Sequence, residues 1–230
     1  MNGFDYIKRN LDDLTCDMEN IAKKAGVRLP KLVAVTKSAT DEELLALLGF
    51  GVTAIGENRP GELKRRGELL REAGYTPELH QIGTLQSNKA RLVCSDAALI
   101  HSLSSESLMR ELDRRGRLLG KRIPVLIEIN SASEPQKDGV LPGEAERFLC
   151  SCLELPTLEV KGLMTMGPAH ATDSELRGYF RLTKKLFDDF NIRYGFGEDA
   201  TLSMGMSDSF GIAIEEGSTL VRVGRRLFLK

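Results

Sequence analysis

A single lysine, Lys37, stands at the carboxyl end of the short apolar run Lys31-Leu32-Val33-Ala34-Val35-Thr36. A β-branched run of this length between Pro30 and Thr40 suits a strand buried on both faces. An ammonium at the mouth of such a strand is either a solvated rim charge or an amine readied to attack a carbonyl. Two further stretches bear on that choice. Ser203-Met204-Gly205-Met206-Ser207 offers hydroxyls, a glycine that permits close backbone approach and a helix start expected near Ser207, a set that suits a phosphate. Taken singly, it also describes a serine cap before a helix. Arg222-Val223-Gly224-Arg225 follows another apolar run, and Gly224 alone is an ordinary strand-end glycine. An amine able to form a Schiff base and a phosphate cradle at one end of a fold together suit an aldehyde with a phosphate tail, and pyridoxal phosphate meets both demands.

The elements that must position these groups alternate along the chain. Phe4, Ile7, Leu11, Leu14, Met18 and Ile21 recur at helical spacing, so one amphipathic helix precedes the lysine strand and ends near Gly26 and Pro30. Thr40-Asp41-Glu42-Glu43 reads as a capping box that opens the next helix. Strand and helix then follow each other: strands over 52–55, 79–82, 97–101, 123–129, 158–164, 201–203 and 219–223, with helices between them, including one over 87–93 and one over 207–216. Thr172-Asp173-Ser174-Glu175 is a second capping box. Eight continuously apolar strands without a Pro- or Ser-rich linker predict one domain over residues 1–230, an α/β fold of the (β/α)8 TIM-barrel type with an additional N-terminal helix. An open doubly wound sheet is the competing arrangement, but the Gly-x-Gly-x-x-Gly turn expected after its first strand is absent.

Composition excludes several classes. The 230 residues carry 32 Lys plus Arg against 33 Asp plus Glu, a net charge of −1 that supplies no field for nucleic acid or an anionic membrane. No apolar run reaches the length of a membrane span, and Met1-Asn2-Gly3-Phe4-Asp5 lacks the basic and apolar regions of a signal peptide, which predicts a cytoplasmic location. Cys16, Cys94, Cys150 and Cys152 fall within apolar patterns without Cys-x-x-Cys spacing and read as small buried hydrophobes; no metal site is expected.

Several segments resemble the pyridoxal phosphate homeostasis protein family: Leu32-Val33-Ala34-Val35-Thr36-Lys37, Gly56-Glu57-Asn58, His80-Gln81-Ile82-Gly83-Thr84-Leu85-Gln86-Ser87-Asn88-Lys89, Gly162-Leu163-Met164-Thr165-Met166, Leu202-Ser203-Met204-Gly205-Met206-Ser207-Asp208 and Gly217-Ser218-Thr219-Leu220-Val221-Arg222-Val223-Gly224. Members of that family are single-domain relatives of the N-terminal barrel of alanine racemase. The resemblance implies that Lys37 forms an internal aldimine with pyridoxal 5'-phosphate and that Asn58 lies beside the pyridine ring. It implies further that Ser203 and the backbone around Gly224 and Arg225 hold the phosphate, and that Arg222 faces the pyridine nitrogen. A permanently charged guanidinium there keeps the nitrogen unprotonated, which makes a weak electron sink and suits storage of the aldehyde better than carbanion chemistry. The chain departs from the family at Arg225-Arg226-Leu227-Phe228-Leu229-Lys230, where a small hydroxyl residue, an alanine and a closing Phe-Gly are usual. Arg225 either replaces the missing hydroxyl with a charge or points outward.

Three functions compete. The first is a non-catalytic carrier that buffers pyridoxal phosphate and delivers it through transient contact with apoenzymes, as a monomer. The second is an amino-acid racemase, which needs an acid or base on each face of the substrate; none of Tyr6, Tyr75, Tyr179 and Tyr194 falls at a strand's carboxyl end. The third is a Schiff-base aldolase, for which only Glu57 and Glu128 offer carboxylates. His80 reads as a core histidine. Lys89 and Lys137 are candidates for a second amine in hand-off.

Overall fold

The computed structural model describes residues 3–168 and 170–230; Met1 and Asn2, the start of the N-terminal stretch read above, lie outside them. Helix α1 (Asp5–Ala25) buries Ile7, Leu11, Leu14, Met18 and Ala22 and stops at Gly26, whose φ of 68° is the left-handed cap that glycine adopts without strain. Eight parallel strands close in chain order into a barrel: β1 (Lys31–Val35), β2 (Ala54–Glu57), β3 (Glu78–Gln81), β4 (Ala97–Leu103), β5 (Ile123–Ile129), β6 (Leu158–Thr165), β7 (Thr201–Ser203) and β8 (Leu220–Val223). Helices α2 (Asp41–Gly49), α3 (Pro60–Glu72), α4 (Glu106–Leu119), α5 (Ala145–Leu153), α6 (Asp173–Tyr194) and α7 (Phe210–Glu215) connect them. Both expected capping boxes form, Thr40 with Glu43 and Thr172 with Glu175.

Two connections differ from the sequence expectation. Residues Ser87–Leu92 make a 3-10 segment rather than an α-helix, because consecutive tight turns at Val93 and Asp96 close the link to β4. The last helix begins at Phe210, not Ser207, since residues 206–209 form a turn in which Ser209 accepts from the Met206 N–H (3.1 Å). Cysteine burial is mixed: Cys94 and Cys152 are buried as expected, but Cys16 is exposed on the outer face of α1, and all four are free thiols.

Side chains alternate between the lumen and the helix layer, as the strand period requires. Val33, Ala54 and Leu220 cluster at one level of the lumen, and Leu99, Leu126 and Met164 at another. Ala34, Val221 and Val223 face outward to α1 and α7. The lumen's carboxyl half is polar, and there the strand ends bring the chemistry together. No helix among the described residues is long and apolar enough to cross a membrane.

Candidate functional site

The β1 parity that points Val33 into the lumen also points Val35 toward it and Ala34 and Thr36 away, and Lys37 follows in the turn just past the strand's carboxyl end. Thr36 is fully buried; its N–H donates to the Gly56 carbonyl (3.1 Å) and its hydroxyl to the Glu57 carboxylate (2.5 Å). On the other side of the lysine, the Ala39 carbonyl accepts from the Arg66 guanidinium of α3 (2.6 Å). Arg66 also pairs with Asp41 and lies 3.9 Å from Glu57. Burial raises the Glu57 carboxyl, against the opposing hydrogen bond from Thr36 and the charge of Arg66. The loop carrying Lys37 is thus pinned at both ends, while its ammonium is exposed and has no hydrogen bond or ion pair among the described residues.

Asn58 follows β2 at the same rim and is half-buried. Its carbonyl accepts from the Gln81 side-chain amide (3.0 Å). The neighbouring Gly83 lies so close that a Cβ there would stand 2.5 Å from the Asn58 carbonyl oxygen. Residue 83 must therefore lack a side chain for Asn58 to hold its place.

Arg222 lies on β8 beside Val33, pointing inward and 3% exposed. Its guanidinium donates to the Ser203 hydroxyl and to the Thr165 carbonyl (3.1 Å). Burial pulls its pKa down to about 10, which still leaves it cationic at neutral pH. Ser203 is fully buried, accepts from Arg222 and lies 3.1 Å from His101 Nδ1. Its hydroxyl is spent beneath the rim because β7 directs residue 203 into the lumen. The rim hydroxyl is Ser207, which accepts from the Gly224 N–H (3.4 Å). Gly224 packs against β1 closely enough that a Cβ would meet the Val35 carbonyl oxygen at 2.7 Å, so this loop flanks Lys37 rather than facing it across the barrel. Arg225 points outward and pairs with Asp208 (2.8 Å), both largely exposed, and so bridges the seventh and eighth loops. The N–H groups of Ser207 and Arg225 donate to no acceptor among the described residues.

Sequence reasoning placed Lys37, Asn58, Arg222 and Gly224 at one barrel end, and the structure brings them together there. It missed what lies under them. His101 is fully buried, its Nε2 is 2.9 Å from His80 Nδ1, and His80 Nε2 is 3.2 Å from Glu78 at the opposite mouth. The available signal was parity, since His101 shares the inward phase of Leu99. Glu128 on β5 is 4% exposed, and burial, with the nearby charge of Asp138, pushes its carboxyl up to about 7 against the attraction of Arg222. Lys89 is exposed, and Lys137 pairs with Glu134 (2.5 Å). None of the four tyrosines lies at a strand's carboxyl end: Tyr6 is on α1, Tyr179 and Tyr194 are on α6, and Tyr75 is in the link before β3.

Residues 10–229 match the family described as Alanine racemase, N-terminal domain. A Pyridoxal phosphate homeostasis protein from Aquifex aeolicus is 35% identical over 228 residues, spanning 99% of this chain and 98% of that protein. The structure of PipY from Synechococcus elongatus with PLP bound superposes with a TM-score of 0.83 at 27% identity, covering 97% of this chain and all of that one. Alanine racemase from Corynebacterium glutamicum shares the fold, with a TM-score of 0.73 at 19% identity over 98% of this chain and 61% of its own.

Proposed function

The chain belongs to the pyridoxal phosphate homeostasis protein family, whose barrel is that of the alanine racemase N-terminal domain, and on that premise we propose that it is a pyridoxal 5'-phosphate carrier. It binds the cofactor reversibly as one barrel domain, buffers the free aldehyde and passes it to apoenzymes, without turning over a substrate of its own. A cytoplasmic monomer fits this role. The observation that carries the reading is the free Lys37 amine beside a rim where the Ser207 and Arg225 N–H groups are unspent among the described residues and the Gly224 N–H reaches only the Ser207 hydroxyl, with the Arg222 cation buried below.

The residues present fit the group. Lys37, without a competing carboxylate, would take the aldehyde carbon in a covalent carbon–nitrogen link with loss of water. The Ser207 hydroxyl and the N–H groups of Ser207, Gly224 and Arg225 would hold the phosphate, in place of the Ser203 hydroxyl expected from sequence. The outward Arg225 would add charge at the rim without reaching inward. Asn58, fixed by Gln81 and Gly83, would flank the ring, and Arg222 would face its nitrogen. The cofactor supplies an electrophilic carbon and a conjugated ring; the protein supplies a guanidinium that leaves that ring a poor electron sink. A racemase also needs a second acid or base over the site, and none of the four tyrosines lies at that rim.

The test is direct. Protein incubated with pyridoxal phosphate should turn yellow, and borohydride should fix one equivalent of cofactor onto Lys37 by mass spectrometry. In a separate unreduced sample, either enantiomer of alanine should persist unracemised. An adduct at another residue, or steady racemisation, rejects the proposal.

A further inference from the structure

A chain of polar side chains runs the length of the lumen, from one mouth of the barrel to the other. At the N-terminal mouth a cavity of about 520 Å³ is lined by Lys31, Glu78, His80, Lys161 and Thr201 among others. Glu78 is half-exposed there and accepts from the Lys31 ammonium (2.5 Å). From it the contacts continue inward: Glu78 Oε2 to His80 Nε2 at 3.2 Å, His80 Nδ1 to His101 Nε2 at 2.9 Å, and His101 Nδ1 to Ser203 Oγ at 3.1 Å. The last link is Arg222 to Ser203.

With both imidazoles neutral, one assignment of protons satisfies every link. An ionised carboxylate accepts and cannot donate, so His80 must carry a proton on Nε2. A neutral His80 then has a bare Nδ1, which obliges His101 to carry its proton on Nε2. A neutral His101 in turn has a bare Nδ1, which obliges the Ser203 hydroxyl to donate to it. The hydroxyl's lone pairs are then left for Arg222, which has donors only. Burial lowers both imidazoles, His101 well below its ordinary value, while the His80 hydrogen bond and the Lys31 charge hold Glu78 down at about 2. The charged groups facing the chain are Lys31 on β1, Glu78 on β3, Glu128 on β5 and Arg222 on β8; Glu78 favours an imidazolium at His80, which burial and the Lys31 charge oppose, while burial and the Arg222 charge oppose one at His101.

We propose that Glu78, at the mouth remote from Lys37, is a positioning residue for the cofactor site: it sets the direction of a neutral His80–His101–Ser203 chain that fixes Arg222. Glu78 touches no part of that site. It acts by forcing each successive group into the one protonation pattern that ends in a hydroxyl able to accept from the guanidinium. The part concerning the cofactor rests on the placement of Arg222 proposed above.

The sequence has three histidines, and His170 is exposed, so side-chain ¹⁵N spectra of the ligand-free protein resolve the two in question. At neutral pH both His80 and His101 should be neutral with the proton on Nε2. Glu78→Gln, whose amide can accept or donate, should lift the constraint in part and mix the tautomers less than Glu78→Ala does. Glu78→Ala should mix the tautomers and weaken pyridoxal phosphate binding about threefold to tenfold, with a shift in the absorption band of the bound cofactor. Protons on Nδ1, an imidazolium at either position, or a pattern and affinity untouched by Glu78→Ala overturn the proposal. If the tautomers respond as stated but Arg222→Lys leaves the cofactor band unchanged, it is the placement of Arg222 against the ring that fails.

Discussion

The Thr36 hydroxyl donates to the Glu57 carboxylate at 2.5 Å, on the side of β1 away from the lumen, so the residue before Lys37 is anchored to a buried acid that α3 neutralises through Arg66. Removing Arg66 leaves that carboxylate uncompensated and the Ala39 carbonyl unpaired. Arg66→Met is expected to cost about 3 kcal/mol in urea unfolding, and Arg66→Met with Glu57→Leu should recover most of it.

Lys37→Ala should fold as the native chain does, because the side chain is exposed and makes no contact that a buried partner depends on. It should neither yellow with pyridoxal phosphate nor retain the cofactor after borohydride. Circular dichroism and intact mass check the two halves of this expectation.

Glu128 ties stability to pH. Its carboxyl titrates near 7 in the fold against an ordinary value of 4.5. The unfolded chain therefore ionises first as pH rises, so the contribution is full below about pH 4.5 and is lost as pH climbs through about 7. Urea midpoints at pH 5 and pH 8 should show Glu128→Gln relieving a loss of about 3 kcal/mol or less that the native chain suffers between them.

Ser207→Ala should weaken pyridoxal phosphate binding by about 1 kcal/mol while leaving pyridoxal, which lacks the phosphate, unaffected. Ser203→Ala should weaken both alike, since its hydroxyl serves Arg222. Paired absorbance titrations separate a phosphate contact from a contact beneath the ring.

Gly83→Ala forces a methyl carbon against the Asn58 backbone at 2.5 Å. Displacement of Asn58 is expected to cost about 1–3 kcal/mol in thermal unfolding and to weaken cofactor binding in the same titration.

Much of this was legible from residues alone. A lysine ending an apolar run, followed by a capping box at Thr40, announced a βα unit, and seven repeats of the pattern announced the barrel. Inward and outward parity was not legible in the last strands. Only three residues of β7 pair, and Leu220-Val221-Arg222-Val223 is buried throughout, so neither shows an alternation from which the direction of Ser203 could be read. The meeting of His80 with His101 was hidden for a different reason. The register of β3 on β4 slips between Leu79 and His80, and an irregularity of that kind leaves no mark in hydropathy. The late start of α7 likewise reflects turn hydrogen bonds at Ser209 that outcompete an earlier helical turn.

The side-chain amide of Asn10 on α1 donates to the carbonyls of Leu227 (3.2 Å) and Leu229 (2.7 Å), and Arg226 pairs with Asp17 on the same helix. Helix α1 therefore takes part of its seat from the segment that follows β8, and the seam between β1 and β8 is clasped from outside by that contact. Because the clasping segment follows directly on Gly224 and Arg225, whatever unseats α1 would also loosen the rim beside Lys37.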